Sequence, residues 1–370
     1  MNGIYVHIPF CAAKCRYCDF NSYAGLSEYR ESYISALCKE ISEFEFAPGS
    51  AADTVYFGGG TPTICTPGEL GQALDTIRAR THLDENCEIT LECNPGTSDY
   101  AAFKALRCRG FNRLSIGLQS ADDKMLKTLG RIHTFEDFKT CFADARRAGF
   151  DNVSLDLIYG LPGQSLDNWR DTLKKVAAFG AEHISCYALK IEPGTPFADM
   201  QLDLPDDDAV GDMYDYAVEF LKQNGYNRYE ISNFARSGFE SRHNLKYWNC
   251  DDFAGFGAGA YSCVNGRRYS NIKSLTEYCK KGGIGCIDPQ TEVVLTKEDK
   301  MSEFCFLGMR LERGISEKEF ERRFDCRIDD IYKAEIEKNL SRGTLERKNG
   351  RIRIPDKWLF VSNSILVDFV

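Results

Sequence analysis

The chain has little that would suit a membrane or a nucleic acid. No stretch approaches the ~18 consecutive apolar residues of a membrane-spanning helix, and the first residues have neither a basic region nor a long apolar run. Acidic residues outnumber basic ones by 55 to 46, which gives a net charge of −9 and argues against nucleic-acid partners. Solenoid repeats and low-complexity linkers are also missing. The sequence therefore predicts a cytoplasmic protein with a sizeable core.

Cysteine, by contrast, is abundant. Sixteen cysteines in 370 residues need an explanation, because in a reducing compartment disulfides are rare and clustered thiols usually bind metal or act in catalysis. Most of them are scattered singly, as expected of small buried apolar residues. Cys11, Cys15 and Cys18 instead fall within eight residues. These three predict a metal site.

From the start to about residue 205, short apolar runs rich in β-branched and aromatic residues alternate with longer helical patterns. Nearly continuous apolar runs are typical of parallel strands that are covered on both faces. Six such units in series predict an α/β fold, an incomplete (β/α)6 barrel. The predicted strands are 3–8, 53–58, 87–93, 112–118, 152–160 and 183–189, and the predicted helices are 27–45, 67–80, 98–108, 122–128, 135–148 and 165–179.

After Pro205 the pattern changes. A connecting region is predicted over 206–290, followed by a C-terminal domain over 291–370. Within that domain, a pair of helical patterns precedes a hairpin centred on Asn349-Gly350. Helices followed by a hairpin suit a small α+β, winged-helix-like module. The predicted division is therefore a barrel over 1–205, a connecting region and a C-terminal domain.

The CxxxCxxC spacing of the clustered cysteines fits neither paired zinc ligands nor a four-cysteine ferredoxin run. Three thiolates on a 4Fe-4S cluster would leave one iron without a protein ligand, and an open position can bind a small chelating molecule. The loop follows the first predicted strand, which places it at the C-terminal end of a parallel sheet, where α/β folds bind ligands. Three structural cysteines in a loop are the alternative.

Glycines and polar residues come at the ends of the later predicted strands. A triplet at 58–60 lets backbone groups approach a ligand closely, although a tight turn is the alternative. Three polar side chains stand at or near strand ends: Glu92, Gln119 and Asp156. Burying a polar or charged side chain costs free energy unless it has a hydrogen-bond partner, a counter-ion or a ligand. Arg131 is a candidate counter-ion. Structural ion pairs are the alternative, but four polar side chains on one rim favour a ligand site.

Together these features resemble the radical S-adenosylmethionine (SAM) family, whose signature is the cysteine triplet. The segments 5–11, 56–63, 117–120 and 156–162 resemble the branch that contains the oxygen-independent coproporphyrinogen III oxidases. The resemblance covers essentially the whole chain. It implies a 4Fe-4S cluster whose open iron chelates SAM, and an electron donor whose electron leads to SAM cleavage and a 5′-deoxyadenosyl radical. It also implies a SAM pocket lined by Tyr5, Tyr17, Phe20, Gly59, Gly60, Thr61, Glu92, Gln119, Arg131, Asp156 and Ala188.

Two departures narrow the resemblance. The decarboxylating oxidases carry a fourth cysteine two residues after the third, where this chain has Phe20. They also have a longer segment before the cysteine loop. In both respects the chain resembles the HemW subgroup of heme chaperones. They leave open whether a second SAM, which sits near this region in the oxidases, binds here.

The segment HNLKYW at 243–248 matches the HNxxYW motif of the same subgroup, which is associated with heme binding. A neutral imidazole such as that of His243 is a good axial ligand for heme iron. Tyr247 and Trp248 offer flat apolar surface to a macrocycle. The alternatives are that His243 is a hydrogen-bonded packing histidine and that a cysteine supplies the axial ligand.

Three functions are consistent with the resemblance. The leading one is a cytoplasmic heme chaperone that binds a cluster, SAM and heme and delivers the heme to acceptor proteins. The first alternative is an oxidase that converts two propionates of coproporphyrinogen III to vinyl groups. The second is a radical SAM enzyme that modifies heme itself. A chaperone releases intact heme, whereas either enzyme consumes SAM in proportion to an altered tetrapyrrole.

Overall fold

The computed structural model describes residues 3–370 of the chain. In chain order the strands are β1 (Gly3–Ile8), β2 (Phe10–Cys11), β3 (Tyr23–Ala24), β4 (Ala51–Gly59), β5 (His82–Cys93), β6 (Arg113–Gln119), β7 (Val153–Tyr159), β8 (His183–Ala188), β9 (Asn227–Arg228), β10 (Asn233–Ala235), β11 (Phe253–Phe256), β12 (Tyr261–Val264), β13 (Arg267–Ser270), β14 (Val293–Val294), β15 (Ile315–Ser316), β16 (Glu346–Lys348) and β17 (Arg351–Arg353). The helices are α1 (Arg30–Glu43), α2 (Pro67–Arg80), α3 (Tyr100–Cys108), α4 (Asp123–Thr128), α5 (Phe135–Arg147), α6 (Leu166–Ala177), α7 (Asp207–Gln223), α8 (Arg242–Trp248), α9 (Leu275–Lys281), α10 (Lys297–Gly308), α11 (Glu317–Phe324), α12 (Ile328–Arg342) and α13 (Asn363–Leu366).

The main sheet has twelve strands in the order β14-β13-β12-β11-β1-β4-β5-β6-β7-β8-β10-β9. Its centre is the parallel series from β1 to β8. Within residues 3–370, β1 and β8 do not pair with each other; β11 extends the sheet beyond β1 and β10 extends it beyond β8. The prediction of an incomplete (β/α)6 barrel is therefore confirmed.

Alternate residues of the barrel strands face opposite sides of the sheet. In β6, Leu114, Ile116 and Leu118 join the main hydrophobic core. Ser115 and Gly117 line the barrel interior instead. The outer face of each strand is thus apolar and covered by helices, whereas the inner face is largely polar. This polar interior is what presents functional groups at the open end of the barrel.

The C-terminal region of the chain has its own hydrophobic core, which includes Phe304, Phe320, Ile336 and Ile352. Helices α10 to α12 contribute to it, and a three-stranded sheet of order β15-β17-β16 contains the predicted hairpin. This arrangement confirms a smaller α+β portion after the barrel. The boundaries at residues 205 and 290 stay predictions. Among the described residues, no helix combines the length and the apolar character that crossing a membrane requires.

Candidate functional site

The strands of the parallel barrel enclose a cavity of about 340 Å³, named the barrel cavity below. Its walls bring together most of the residues that the sequence predicted. The predicted residues that line it are Cys11, Cys15, Tyr17, Cys18, Phe20, Gly59, Gly60, Glu92, Gln119, Arg131, Asp156 and Ala188. Thr61 lies beside it, buried within reach of the Cys11 thiol. Tyr5 lines a neighbouring cavity instead.

The cysteine loop runs between β2 and β3 and is closed by Lys14. The Lys14 ammonium donates to the Phe20 carbonyl at 2.6 Å and to the Ser22 carbonyl at 3.1 Å. Cys11, Cys15 and Cys18 are all partly exposed and line the same cavity. Residues 3–370 hold no group of three or more metal-ligating side chains that could bind a single ion.

A hydroxyl group and a guanidinium group approach the sulfur atoms. The Thr61 Oγ1 lies 3.6 Å from the Cys11 Sγ, and the Arg131 guanidinium donates to the Cys15 Sγ at 3.5 Å. Hydrogen bonds to cluster sulfurs are among the features that set the reduction potential of iron–sulfur sites. These contacts place two polar groups at sulfurs that the sequence predicts as cluster ligands.

Arg131 is fixed by neutral acceptors. It donates to the Asn94 Oδ1 and to the Gly117 carbonyl, both at 2.5 Å. Asn94 in turn donates to the Thr61 Oγ1 at 2.7 Å. These contacts differ from the carboxylate pairing expected of a counter-ion. Asn94 was missed in the sequence, although it follows a predicted strand and stands two residues after Glu92.

Glu92 and Asp156 are carboxyl groups that line the barrel cavity and form no ion pair within residues 3–370. Glu92 accepts from the Tyr56 hydroxyl at 2.8 Å and from the Gly59 N–H at 3.0 Å, and burial raises its pKa to about 7. Asp156 accepts from the Ser115 hydroxyl at 2.8 Å, and burial raises its pKa as well. Carboxyl groups held by neutral donors in a buried cavity favour a ligand that carries positive charge.

Gln119 adopts a strained backbone conformation at the edge of the cavity. Its φ is 69°, and the register between β6 and β7 shifts between Gly117 and Gln119. A long side chain at positive φ is rare and costs free energy, and such strain concentrates at ligand sites. The bulge re-aims the end of β6. The strain supports the prediction that Gln119 contacts a ligand.

Arg113 is a functional candidate that the sequence reasoning missed. It begins β6, is only 2% exposed and lines the barrel cavity. Its Nε has no hydrogen-bond partner among residues 3–370. Its charge partly offsets the burial that raises the pKa of Glu92 and Asp156. One sequence signal could have identified Arg113. Alternate residues of a strand share a face, so Arg113 lies on the same face of β6 as Ser115 and Gly117.

Helix α8, which carries the HNLKYW segment, packs against the barrel interior. His243 is 1% exposed; its Nδ1 lies 2.9 Å from the Thr54 Oγ1 and its Nε2 lies 2.9 Å from the Tyr247 hydroxyl. Its ring stacks on Tyr56 with centroids 5.2 Å apart. Burial lowers the pKa of His243 to about 3, so the ring is neutral. Axial ligation by His243 would require one hydrogen bond to break and an iron to reach a buried ring, and it stays a prediction.

A second cavity, of about 630 Å³, adjoins the first and is named the aromatic cavity below. Phe20, Gly59 and Glu92 line both cavities. The aromatic side chains on its walls are Tyr5, Phe20, Tyr23, Tyr247, Phe253 and Tyr261. Trp248 lines neither cavity, and the Arg310 guanidinium lies 6.0 Å from its ring centre.

The fold and this site are those of a radical SAM protein. The family model described as Radical SAM superfamily matches residues 5–176, and the model described as HemN C-terminal domain matches residues 295–360. The structure is similar to coproporphyrinogen III oxidase (HemN) from Escherichia coli, with a TM-score of 0.87, 24% identity and coverage of 99% of this chain and 89% of that chain. That likeness shows a shared fold.

Sequence similarity identifies a narrower family. The chain is 34% identical to the heme chaperone HemW of Lactococcus lactis subsp. lactis, over 100% of this chain and 97% of that protein. It is 33% identical to HemW of Bacillus subtilis, over 100% and 99%, and 34% identical to HemW of Escherichia coli, over 100% and 98%. The chain belongs to the HemW family of radical SAM proteins.

Proposed function

We propose that this protein is a heme chaperone that binds a 4Fe-4S cluster, SAM and heme and passes the heme to acceptor proteins in the reducing cytoplasm. The observation that carries the proposal is Phe20. It occupies the place of the fourth cysteine of the decarboxylating oxidases, and its side chain is 63% exposed where the barrel cavity meets the aromatic cavity. Full-length similarity to HemW proteins supports the same function.

The cysteine loop fits a cluster. Cys11, Cys15 and Cys18 would be the ligands, with Thr61 and Arg131 donating to two of the sulfurs. When bound and reduced by an electron donor, such a cluster supplies an electron to SAM. A fourth protein ligand is not required, because the open iron is the position that SAM would occupy.

The barrel cavity fits SAM. A Cβ on Gly60 would lie 2.6 Å from the Phe10 carbonyl, so only glycine lets this strip pack against the cysteine loop. A Cβ on Gly117 would lie 2.6 Å from the Asn94 Oδ1, so this glycine makes room for the Asn94–Arg131 pair. Glu92 and Asp156 would face the positive sulfonium. These residues would orient SAM and keep water from the reactive centre.

The aromatic cavity adjoins the barrel cavity and would suit the tetrapyrrole substrate of either alternative enzyme. Its volume falls within the ~300–1,000 Å³ range of small-molecule sites, and its walls offer the flat apolar surface that a macrocycle needs. Lys273 also lines it and supplies a positive charge for a carboxylate substituent.

The proposal is tested with anaerobically reconstituted protein in two reactions. In the first, SAM, a strong reductant and coproporphyrinogen III are added, and porphyrins are measured by mass spectrometry. In the second, hemin-loaded protein is mixed with apomyoglobin, and holomyoglobin is measured by absorbance. A chaperone yields intact transferred heme and no new porphyrin.

Other outcomes identify the alternatives. Protoporphyrinogen formed over several turnovers with stoichiometric SAM cleavage would make the protein an oxidase despite Phe20. Recovery of ring-opened or methylated heme would make it a heme-modifying enzyme. Cys108→Ala is the control variant, because Cys108 is exposed at the end of α3, away from the cysteine loop.

A further inference from the structure

A third cavity, of about 570 Å³, lies between the sheet extension and the C-terminal helices and is named the thiol cavity below. It is lined on one side by residues that follow α8 and by the β12–β13 hairpin, and on the other side by α10 and α11. It shares Tyr247 and Phe253 with the aromatic cavity and shares no residue with the barrel cavity. It is therefore separate from the SAM site and adjoins the end of the HNLKYW segment.

The thiol cavity combines apolar surface with two thiols. Phe304, Leu307 and Phe324 supply apolar walls, and Cys250 and Cys263 both line the space. A cavity with flat apolar walls and a few convergent polar groups is the usual form of a small-molecule site. Thiolate sulfur is also an established axial ligand for heme iron.

Cys250 has an unusual backbone conformation. Its φ is 55°, at the residue after the C-cap of α8, where glycine is the residue that fits best. The other non-glycine residues with positive φ in 3–370 are Gln119, Asn265, Asp325 and Asn349. Asn and Asp adopt this conformation more readily than Gln and Cys do. Both of the disfavoured residues line a cavity, and the cavity at Gln119 is the SAM site.

Three acidic and three basic side chains line the thiol cavity: Asp251, Asp252, Glu303, Arg268, Lys300 and Arg323. Arg323 pairs with Asp251, and Asp252 accepts from the Asn265 N–H at 3.0 Å. Arg268 is held by Glu303 through two bonds of 2.7 Å, and Arg323 donates to the Asn249 carbonyl at 2.7 Å. Lys300 lines the cavity, and its ammonium makes no hydrogen bond or ion pair with the part of the chain that the structure describes. The exposed, unpaired Lys300 ammonium at the edge of this mixed cavity suits a ligand with a carboxylate substituent. Heme, with two propionates on a flat apolar ring, has this chemistry.

We propose that the thiol cavity is the heme site, with the Cys250 sulfur on the iron and Lys300 facing a propionate. The inference rests on the proposed function, because it takes heme to be the cargo. On binding ferric heme, the thiol releases its proton to solvent and an iron–sulfur bond forms without any change of oxidation state. This location also keeps the cargo apart from radical chemistry in the barrel cavity.

The test is a hemin titration of the full-length, cluster-reconstituted protein and of Cys250→Gly. Glycine suits the positive φ, so this variant removes the thiol without adding backbone strain. After reduction with dithionite under CO, the hemin-loaded parent should show the strongly red-shifted Soret band of a ferrous–CO heme thiolate. Cys250→Gly should lose that band and bind hemin at least tenfold more weakly, with an unchanged cluster spectrum and a Tm no lower than that of the parent. Cys263→Ser should keep the band.

Lys300→Glu provides a second measurement that does not depend on the thiol. It should weaken hemin binding several-fold at low salt, whereas Lys297→Glu on the same helix should not, because Lys297 does not line the cavity. A thiolate band and affinity that survive in Cys250→Gly would overturn the inference while leaving the chaperone function standing. A parent that binds no hemin would overturn both.

Discussion

The barrel cavity and the thiol cavity differ in how their residues are distributed along the chain. Groups in the barrel cavity recur at successive strands, from Cys11 in the first loop to Ala188 in the last barrel strand, and a regular topology brings them together. The thiol cavity is formed by two short stretches, 247–268 and 295–324, that meet only because the C-terminal helices pack on the sheet extension. The residues of a site formed at the ends of successive strands can therefore be predicted from the sequence. The residues of a site formed where two distant segments pack together cannot.

The two cavities also differ in chemistry. Hydrogen bonds join the barrel residues into a network, in which Arg131, Asn94 and Thr61 are linked to the Cys15 and Cys11 sulfurs. The thiols of the other cavity stand among both apolar and charged side chains, and the charged ones are largely paired with one another. The first arrangement suits a polar, charged cofactor such as SAM, and the second suits a macrocycle. Variants in one cavity should therefore leave ligand binding in the other unchanged.

The largest expected effect is that of Cys15→Ala. Loss of one of three ligands should abolish the cluster, so iron content and the visible absorption should fall to background after anaerobic reconstitution. Hemin affinity should change little, because the thiol cavity shares no residue with the cysteine loop. Cys108→Ala should bind iron like the parent. A full-strength cluster spectrum in Cys15→Ala would refute the ligand assignment.

The main expected effect of His243→Ala is a lower free energy of unfolding. The substitution removes a buried ring and leaves Thr54 and Tyr247 without their shared partner. Urea unfolding should show a loss of roughly 2–5 kcal/mol, the range for large-to-small substitutions in a core. Axial ligation by His243 predicts, in addition to this loss of stability, the loss of hemin binding.

Arg131→Gln should weaken SAM binding by about 10- to 100-fold, since hydrogen bonds to a charged group contribute about 1.5–3 kcal/mol. The guanidinium joins the end of β6 to the cysteine loop through the Gly117 carbonyl and the Cys15 sulfur. Equilibrium dialysis with labelled SAM measures the effect. Arg147→Gln, on the exposed face of α5, is the matched control. Equal affinities for Arg131→Gln and parent would remove Arg131 from the site.

Glu92 should make SAM binding depend on pH. Because burial raises its pKa to about 7, the ionised form that attracts a sulfonium is lost as pH falls below 7, and affinity should drop by up to about tenfold per pH unit. The raised pKa also destabilises the folded apoprotein as pH rises through 7. Glu92→Gln should remove both dependences, which calorimetry and thermal melts at pH 6 and pH 8 would detect. A pH profile identical to that of the parent would contradict this role.

The smallest effect should come from Gln119→Gly. Relief of the positive φ should stabilise the protein by about 1 kcal/mol, the usual cost of a left-handed non-glycine residue. SAM affinity should fall at the same time, because the amide is lost from the cavity. A variant that gains stability and keeps its SAM affinity would show that the strain serves no ligand.

The sequence predicted the barrel well because each strand is a short apolar run between glycines and polar residues. The cysteine loop and Glu92, Gln119 and Asp156 were recognised from their positions at strand ends. Arg113 was missed, because a charge at the start of a strand looks like a solvated end until the inward alternation of β6 is seen. Asn94 was missed because a single asparagine after a predicted strand does not by itself indicate a ligand site.

Long-range packing was harder to predict. His243 lies in a recognisable motif, but the motif does not show that its two ring nitrogens already have partners, Thr54 on β4 and Tyr247 on α8. Cys250 looked like one of many scattered cysteines, and only its φ of 55° and its place in a cavity set it apart. The hairpin at Asn349-Gly350 was predictable from local turn chemistry, whereas the surface on which its domain packs was not.

The most direct test of the radical SAM assignment is electron paramagnetic resonance of the anaerobically reconstituted, reduced protein with and without SAM. We predict a 4Fe-4S signal that changes on addition of SAM, because the open iron gains a chelating ligand, and no such signal in Cys15→Ala. A reduced cluster whose signal is the same with and without SAM would contradict the assignment.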